Sequence, residues 1–237
     1  MSRKLSLTLL SILALMCFTV ASATRAQANV IDTLASLIAT NGTITVGDKK
    51  FSNFQAILNP TGPTTNPPDL GGIIVTGVTV SGNNGLEFSG GIHTGAGSSL
   101  DLLIDYDVQV LDPNFMISDI HLKFNGIVTG TGFASVAETV STLDESMILG
   151  QAQVTTPPPN LEQIIYIVPP VSAVHVTKDI FLFGSTSVGI AGTATITFID
   201  QIVSQVRPPQ DIPEPASLLL LGSGLAFFVR SRRRHNG

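Results

Sequence analysis

Three sets of side chains in this chain have types and spacings that bear on metal or catalytic chemistry. In "SLDLLIDYDVQVL", Asp101, Asp105 and Asp107 recur on one side of an alternating stretch. Carboxylate oxygens suit calcium, a hard cation that takes six to eight such ligands. A calcium loop crowds its acids around a glycine-bearing turn, whereas these three run along an extended segment, so the expectation is a solvated acidic face. His93, His121 and His175 lie far apart and show none of the short spacings that bring two imidazoles to one zinc ion. The segment "FGSTSVG" approaches the G-x-S-x-G nucleophile elbow, but Ser185 stands where the elbow needs glycine two places before Ser187. No helical pattern follows it, as the elbow requires. No catalytic residue, metal or cofactor is therefore expected, and the chain does not read as an enzyme.

Two binding chemistries remain to be weighed. Sugar platforms stack pyranose rings on exposed aromatic side chains, yet the chain has no tryptophan and only two tyrosines. Tyr106 falls on an apolar face and Tyr166 is the other. Ice binding needs a flat threonine array; Thr193, Thr195 and Thr197 form a short row and Thr43 with Thr45 a fragment. Rows of that length are ordinary β-branched strand composition. The expectation is a structural or interaction component, with an extracellular binding module for polysaccharide or calcium as the alternative. A secreted hydrolase and an ice-binding protein are weaker readings.

The elements that must carry these residues are strands. Leu102, Ile104, Tyr106, Val108 and Val110 alternate with Asp101, Asp105, Asp107 and Gln109, the period of two of a half-buried strand. "ISDIHLKFNGIV", "FASVAETVSTL" and "AGTATITFIDQIV" alternate likewise. Asn41-Gly42, Asn84-Gly85, Asn125-Gly126 and Gly90-Gly91 are read as the turns between strands, because these residues take positive φ at little cost. The fold class predicted is all-β, an antiparallel β-sandwich or jelly-roll-like domain over residues 29–207. One short helix is expected over 31–39, with Asp32 capping its start and Asn41-Gly42 its end. "NPTGPTTNPPDL" and "TTPPPNLEQ" read as surface loops, and "VRPPQDIPEP" as an extended spacer.

Residues 29–207 carry five basic side chains against fifteen carboxylates, a net charge of minus ten. Such a body is repelled by nucleic acid and by anionic lipid, so no nucleic-acid partner is expected.

The two ends are of another character. Arg3 and Lys4 precede an apolar run over residues 5–20 and then two A-x-A sites, Ala21-Ser22-Ala23 and Ala26-Gln27-Ala28. That order predicts a signal peptide over 1–28, removed by signal peptidase. The single cysteine, Cys17, lies inside it and follows the bulky Met16, which disfavours a lipoprotein signal and leaves the exported domain without a thiol. At the other end, fourteen residues over 216–229 are apolar apart from Ser217 and Ser223. As a helix they would span roughly 21 Å, short of a hydrocarbon core of about 30 Å but tolerable where long side chains snorkel. Arg230, Arg232, Arg233 and Arg234 follow as stop-transfer charges, holding the C-terminus on the cytoplasmic side and all that precedes the helix outside. Pro213, Glu214 and Pro215, in a linker over 208–215, suit a helix start at a membrane surface.

Pro-Glu-Pro, a short apolar helix and a terminal arginine cluster over about the last twenty-five residues, with a signal at the other end, resemble the PEP-CTERM sorting signal of bacterial envelope proteins. The resemblance implies that an exosortase recognises Pro213, Glu214 and Pro215, removes the helix and arginine tail of 216–237, and releases the chain to the surface or to exopolysaccharide. It implies an exported protein with a membrane-anchored intermediate. "VGDKKFSNFQ", "GLEFSGG" and "VTKDIFLFG" more loosely resemble uncharacterised secreted domains that carry such tails, which implies a β-rich exported domain.

Overall fold

The computed structural model describes residues 31–63, 68–186 and 191–208. Thirteen strands and one helix follow in the order β1 (Ile31–Thr33), α1 (Leu34–Thr40), β2 (Ile44–Val46), β3 (Lys49–Thr61), β4 (Ile74–Val80), β5 (Asn83–Ser89), β6 (His93–Thr94) and β7 (Ser99–Val110). They continue with β8 (Met116–Val128), β9 (Phe133–Ser141), β10 (Ile148–Thr156), β11 (Glu162–Val171), β12 (Ala173–Phe183) and β13 (Ala194–Val206). One sheet runs β1-β4-β5-β13-β8-β11, with β6 also paired to β13; the other runs β10-β9-β12-β7-β3-β2. Every strand pairing is antiparallel, so the all-β sandwich expected from the alternation is the fold. The signal peptide over 1–28, most of the 208–215 linker and the 216–237 helix and tail lie outside the described residues.

Alternation becomes packing directly. Leu102, Ile104, Tyr106, Val108 and Val110 of β7 are buried between the sheets, facing Leu86 and Phe88 of β5, Ile120, Leu122 and Phe124 of β8, and Ile199 and Val203 of β13 in one apolar cluster. A side chain of this size contributes about 1.5–3 kcal/mol when it leaves water, and this core is the source of the fold's stability, since the domain holds no cysteine. Tyr106 sits at its centre, its ring stacked on Phe54 at 5.6 Å between centroids and tilted against Phe88 at 5.7 Å. Phe54 reaches that place through a bulge in β3, where the register slips between Ser52 and Gln55 and Asn53 takes a φ of 57°. The extra residue lets Phe51 and Phe54 both face inward, as a bulge does when it re-aims a side chain.

Chain order and sheet order differ sharply. The last strand, β13, lies between β5 and β8, and β12 lies between β9 and β7. Both sheets are therefore completed from their middles by the final third of the domain.

Several expected boundaries are corrected. Asn84-Gly85 and Asn125-Gly126 are not turns; they lie inside β5 and β8. The β4–β5 turn is Ser81-Gly82, with φ of 52° and 84°, the double left-handed step of a type I′ hairpin. Gly90 and Gly91 do take positive φ, as expected. The helix begins later than expected, at Leu34, because Ile31–Thr33 pairs with β4. Its N-cap is Thr33, whose hydroxyl accepts from the Ser36 amide, whereas Asp32 accepts from the amide of Thr33. Asn41 ends it in the left-handed conformation, as expected. The prolines of "TTPPPNLEQ" do form the β10–β11 connection, but β3 runs on through Pro60 to Thr61 into the other segment expected to be a loop. Pro60 adds no ladder donor there.

Candidate functional site

Of the polar hollows among the described residues, two bring a histidine together with carboxylates. The first is on the sheet that contains β13, with a volume of about 270 Å3, lined by Ser81, Asn83, His121, Lys123, Glu162 and Asp200 over Val80 and Ile202. Pairing explains the set. Lys123 of β8 is directly opposite Glu162 of β11 on one side and Asp200 of β13 on the other, and Asp200 is opposite Glu87 of β5. A row of charges thus crosses four strands, acid, base, acid, acid, with Lys123 standing between two acids, an order that cross-strand pairing favours. Burial and then Glu87 raise the carboxyl of Asp200 above its ordinary range, against Lys123 and Lys178, which lower it.

One residue pair further along, His121 is opposite Ile164 and Ile202, and its Nε2 lies 2.9 Å from Oδ1 of Asp119. Position 85, next in that row, is a glycine, so no side chain fills the hollow there. The edge strand β11, which supplies Glu162 to the hollow, exposes Ile164 by 40 %, Tyr166 by 70 % and Val168 by 86 %. Tyr166 is opposite Asp119.

The second hollow, also about 270 Å3, is on the other sheet and is lined by Asn41, Asn53, Gln55, Asp107, Glu145 and His175 with Phe54 and Leu143. His175 of β12 is opposite Asp107 of β7, and its Nδ1 lies 2.8 Å from Oδ1 of Asp107. Asn53, set by the β3 bulge, donates to the other oxygen of the same carboxylate. The Nε2 of His175 lies 3.8 Å from Asp105 and 4.0 Å from Glu145. An oriented imidazole is half of a general-base pair. No serine, threonine or cysteine lines this hollow to serve as its nucleophile.

The candidates singled out in the sequence can now be placed. Asp101, Asp105 and Asp107 do share the outer face of β7, but Asp107 is committed to His175 and Asn53. Among the described residues no three His, Cys, Asp or Glu side chains are grouped to hold a metal ion. His93 is on β6 and His121 on β8, on the sheet opposite His175. Tyr106 is fully buried, as its alternation indicated, and Tyr166 is the exposed ring. Thr195 lies before a bulge between Ile196 and Phe198 that interrupts the threonine row, and Thr197 bonds Asn125 across the strands. Thr43 and Thr45 are exposed on either side of buried Ile44. Ser185 is buried beside Thr131, while Ser187 lies outside the described residues. So do Pro213, Glu214, Pro215, Arg230, Arg232, Arg233 and Arg234. No helix among the described residues is long and apolar enough to cross a membrane.

Reading the surface alone missed a polar centre inside the sandwich. Lys178 of β12, Glu138 of β9 and Gln201 of β13 are all buried and bonded to one another. The signal was there in phase: Glu138 alternates with Val136 and Val140, and Lys178 with Val176 and Ile180, on the inward side of each strand.

Comparison with known proteins bears on the tail. The chain carries a PEP-CTERM protein-sorting motif at residues 211–234. That motif supports an exported protein, directed to the cell envelope or surface and processed by an exosortase. No curated protein matches the chain. Among solved structures, the enzymatically active domain of tailspike protein 4 from bacteriophage CBA120 is similar at 12 % identity and a TM-score of 0.27, over 60 % of this chain and 19 % of that one. The chain thus spans about a fifth of that structure's length, and a likeness at that score carries no argument.

Proposed function

We propose that the protein is a non-catalytic component of the cell surface or extracellular matrix, in which the sandwich acts as a structural or interaction module and the tail as its address. The single observation that carries the reading is the PEP-CTERM motif at 211–234, which follows the sandwich by a few residues. In this account signal peptidase removes 1–28, the 216–229 segment holds the chain in the membrane, and an exosortase acts at Pro213, Glu214 and Pro215. Arg230, Arg232, Arg233 and Arg234 keep the tail cytoplasmic until then. Replacing Pro213, Glu214 and Pro215 together by alanine is expected to leave the protein in the membrane fraction of a host that has an exosortase. Equal release of variant and wild type would remove the motif from the account.

A second reading is favoured by one observation, the exposed ring of Tyr166 on β11, the strand that also supplies Glu162 to the hollow with His121 and Asp200. An aromatic face beside convergent hydrogen-bonding groups suits a sugar. The net charge of minus ten over 29–207 selects a neutral or amino-bearing polysaccharide over an acidic one. Binding of neutral glycans on an array that is abolished by Tyr166→Ala supports this reading, and equal signals for both proteins exclude it.

A further inference from the structure

The buried polar centre has the composition of a reaction. Lys178 and Glu138 are paired residues on adjacent strands of one sheet, and Gln201 reaches them from the other sheet. Lys178 is 0 % exposed, Glu138 1 % and Gln201 0 %. The Lys178 amine donates to Oε2 of Glu138 and to Oε1 of Gln201. The amide nitrogen of Gln201 donates to Oε1 of Glu138 at 3.1 Å. One carboxylate therefore touches, through its two oxygens, both an amine and the nitrogen of a carboxamide. The amine in turn touches the oxygen bonded to that carboxamide's carbon.

We infer that Lys178 and Gln201 form an intramolecular isopeptide bond across the sandwich, with Glu138 as the proton relay. The Lys178 Nζ, as the free amine, attacks Cδ of Gln201 and forms the new C–N bond. Glu138 takes up the proton that the amine sheds and, as the carboxylic acid, passes that same proton to Nε2, whose bond to Cδ then breaks. Ammonia leaves, the amide carbonyl is restored, and no oxidant or reductant is needed. The product is a secondary amide plus one ammonia, in atomic balance with a lysine and a glutamine.

Three features favour the step. Folding holds nucleophile, relay and electrophile together, which replaces a collision in solution by a fixed arrangement. Burial disfavours the ammonium and lowers the Lys178 pKa, against the opposing pull of Glu138, so the reactive free amine is more accessible than on a surface lysine. The surrounding core, with Val136, Val176, Ile180, Ile199 and Val203, keeps out the water that would otherwise compete for the carbonyl. A second buried lysine lacks the relay: Lys49 donates to Asp48 and to Gln205, but among the described residues no bond joins Asp48 to the Gln205 amide nitrogen. The reaction is assigned to Lys178 alone.

Such a bond would join β12 to β13, and with them the two sheets, in a domain that has no cysteine for a disulfide. The test is mass spectrometry of the purified, folded full-length chain after trypsin digestion. A bonded Lys178 resists trypsin, so residues 124–178 are expected to remain joined to the following peptide, in a species lighter by one ammonia, with fragments that tie Lys178 to Gln201. Glu138→Gln keeps the volume and removes the relay; it is expected to slow bond formation about 10²-fold or more and to give the linear peptides. Lys178→Met is expected to give the full mass at every time. Linear peptides from folded wild type, or ammonia lost without a 178–201 link, would overturn the assignment. Equal bonding in Glu138→Gln would overturn the role of Glu138.

Discussion

Gly85 of β5 and Gln201 of β13 approach so closely that a β-carbon on Gly85 would lie 2.0 Å from the carbonyl oxygen of Gln201 and 2.8 Å from Cδ1 of Ile202. Gly85 is paired with Ile202 in the middle of a sheet, so relief would require the two strands to part. Gly85→Ala is expected to destabilise the domain by about 1–3 kcal/mol, the usual cost of overpacking a filled interior. Urea unfolding measures it, and a variant as stable as wild type would mean that β5 and β13 part to admit a methyl group at no cost.

Tyr106 buries its hydroxyl without a hydrogen-bond partner among the described residues. Removing an unpaired polar atom while keeping the ring relieves a desolvation penalty, so Tyr106→Phe is expected to gain about 1–3 kcal/mol. Burial, and then the charge of Glu138, hold the phenol well above its ordinary pKa. The unfolded chain therefore loses this proton near pH 10 while the native chain retains it, and wild-type stability falls as pH rises through that region. The variant is expected to lack that part of the slope in alkaline denaturation curves.

Asp200 supplies a prediction of the same sense at the acid end of the pH range. Its carboxyl is raised above 3.8 in the fold, so between 3.8 and the raised value the native state binds more protons than the unfolded one. Its ionised form costs stability at neutral pH, and the cost is relieved as pH falls through the native pKa. Asp200→Asn is expected to melt higher than wild type at pH 7, with the gap closing as pH approaches 3.8. A gap that widens on acidification would show that the Lys123 pairing outweighs the burial.

These residues also mark how far the fold could be read in advance. Strands β7, β8, β9 and β13 are plain in the sequence because an apolar face must alternate with a solvated one. Gly85 and Gly126 mislead because a glycine after asparagine serves a turn and a close strand approach equally well, and only the partner strand decides which. Strand order was not legible: nothing local announces that the last strand lies at the centre of its sheet. The His175–Asp107 pair was hidden for the same reason, since it depends on β12 and β7 being neighbours in register.

That order has a consequence for export. Residues 194–206 supply β13, between β5 and β8, so without them one sheet is split in two. Deletion of 194–206 is expected to abolish cooperative unfolding and the near-ultraviolet signal of the packed core. The domain would then complete its fold only after nearly all of it has emerged, a useful delay for a chain that crosses a membrane unfolded. A truncated chain that still unfolds cooperatively would contradict this.

The fate of the tail separates a released surface protein from a membrane-anchored one. The mass of the C-terminal peptide, from protein recovered at the surface and in the medium of its native host, tests it most directly. A chain that ends near Pro213 to Pro215, without Arg230, Arg232, Arg233 and Arg234, is the expected result. Surface protein that retains the four arginines would contradict processing and make the protein a resident of the membrane.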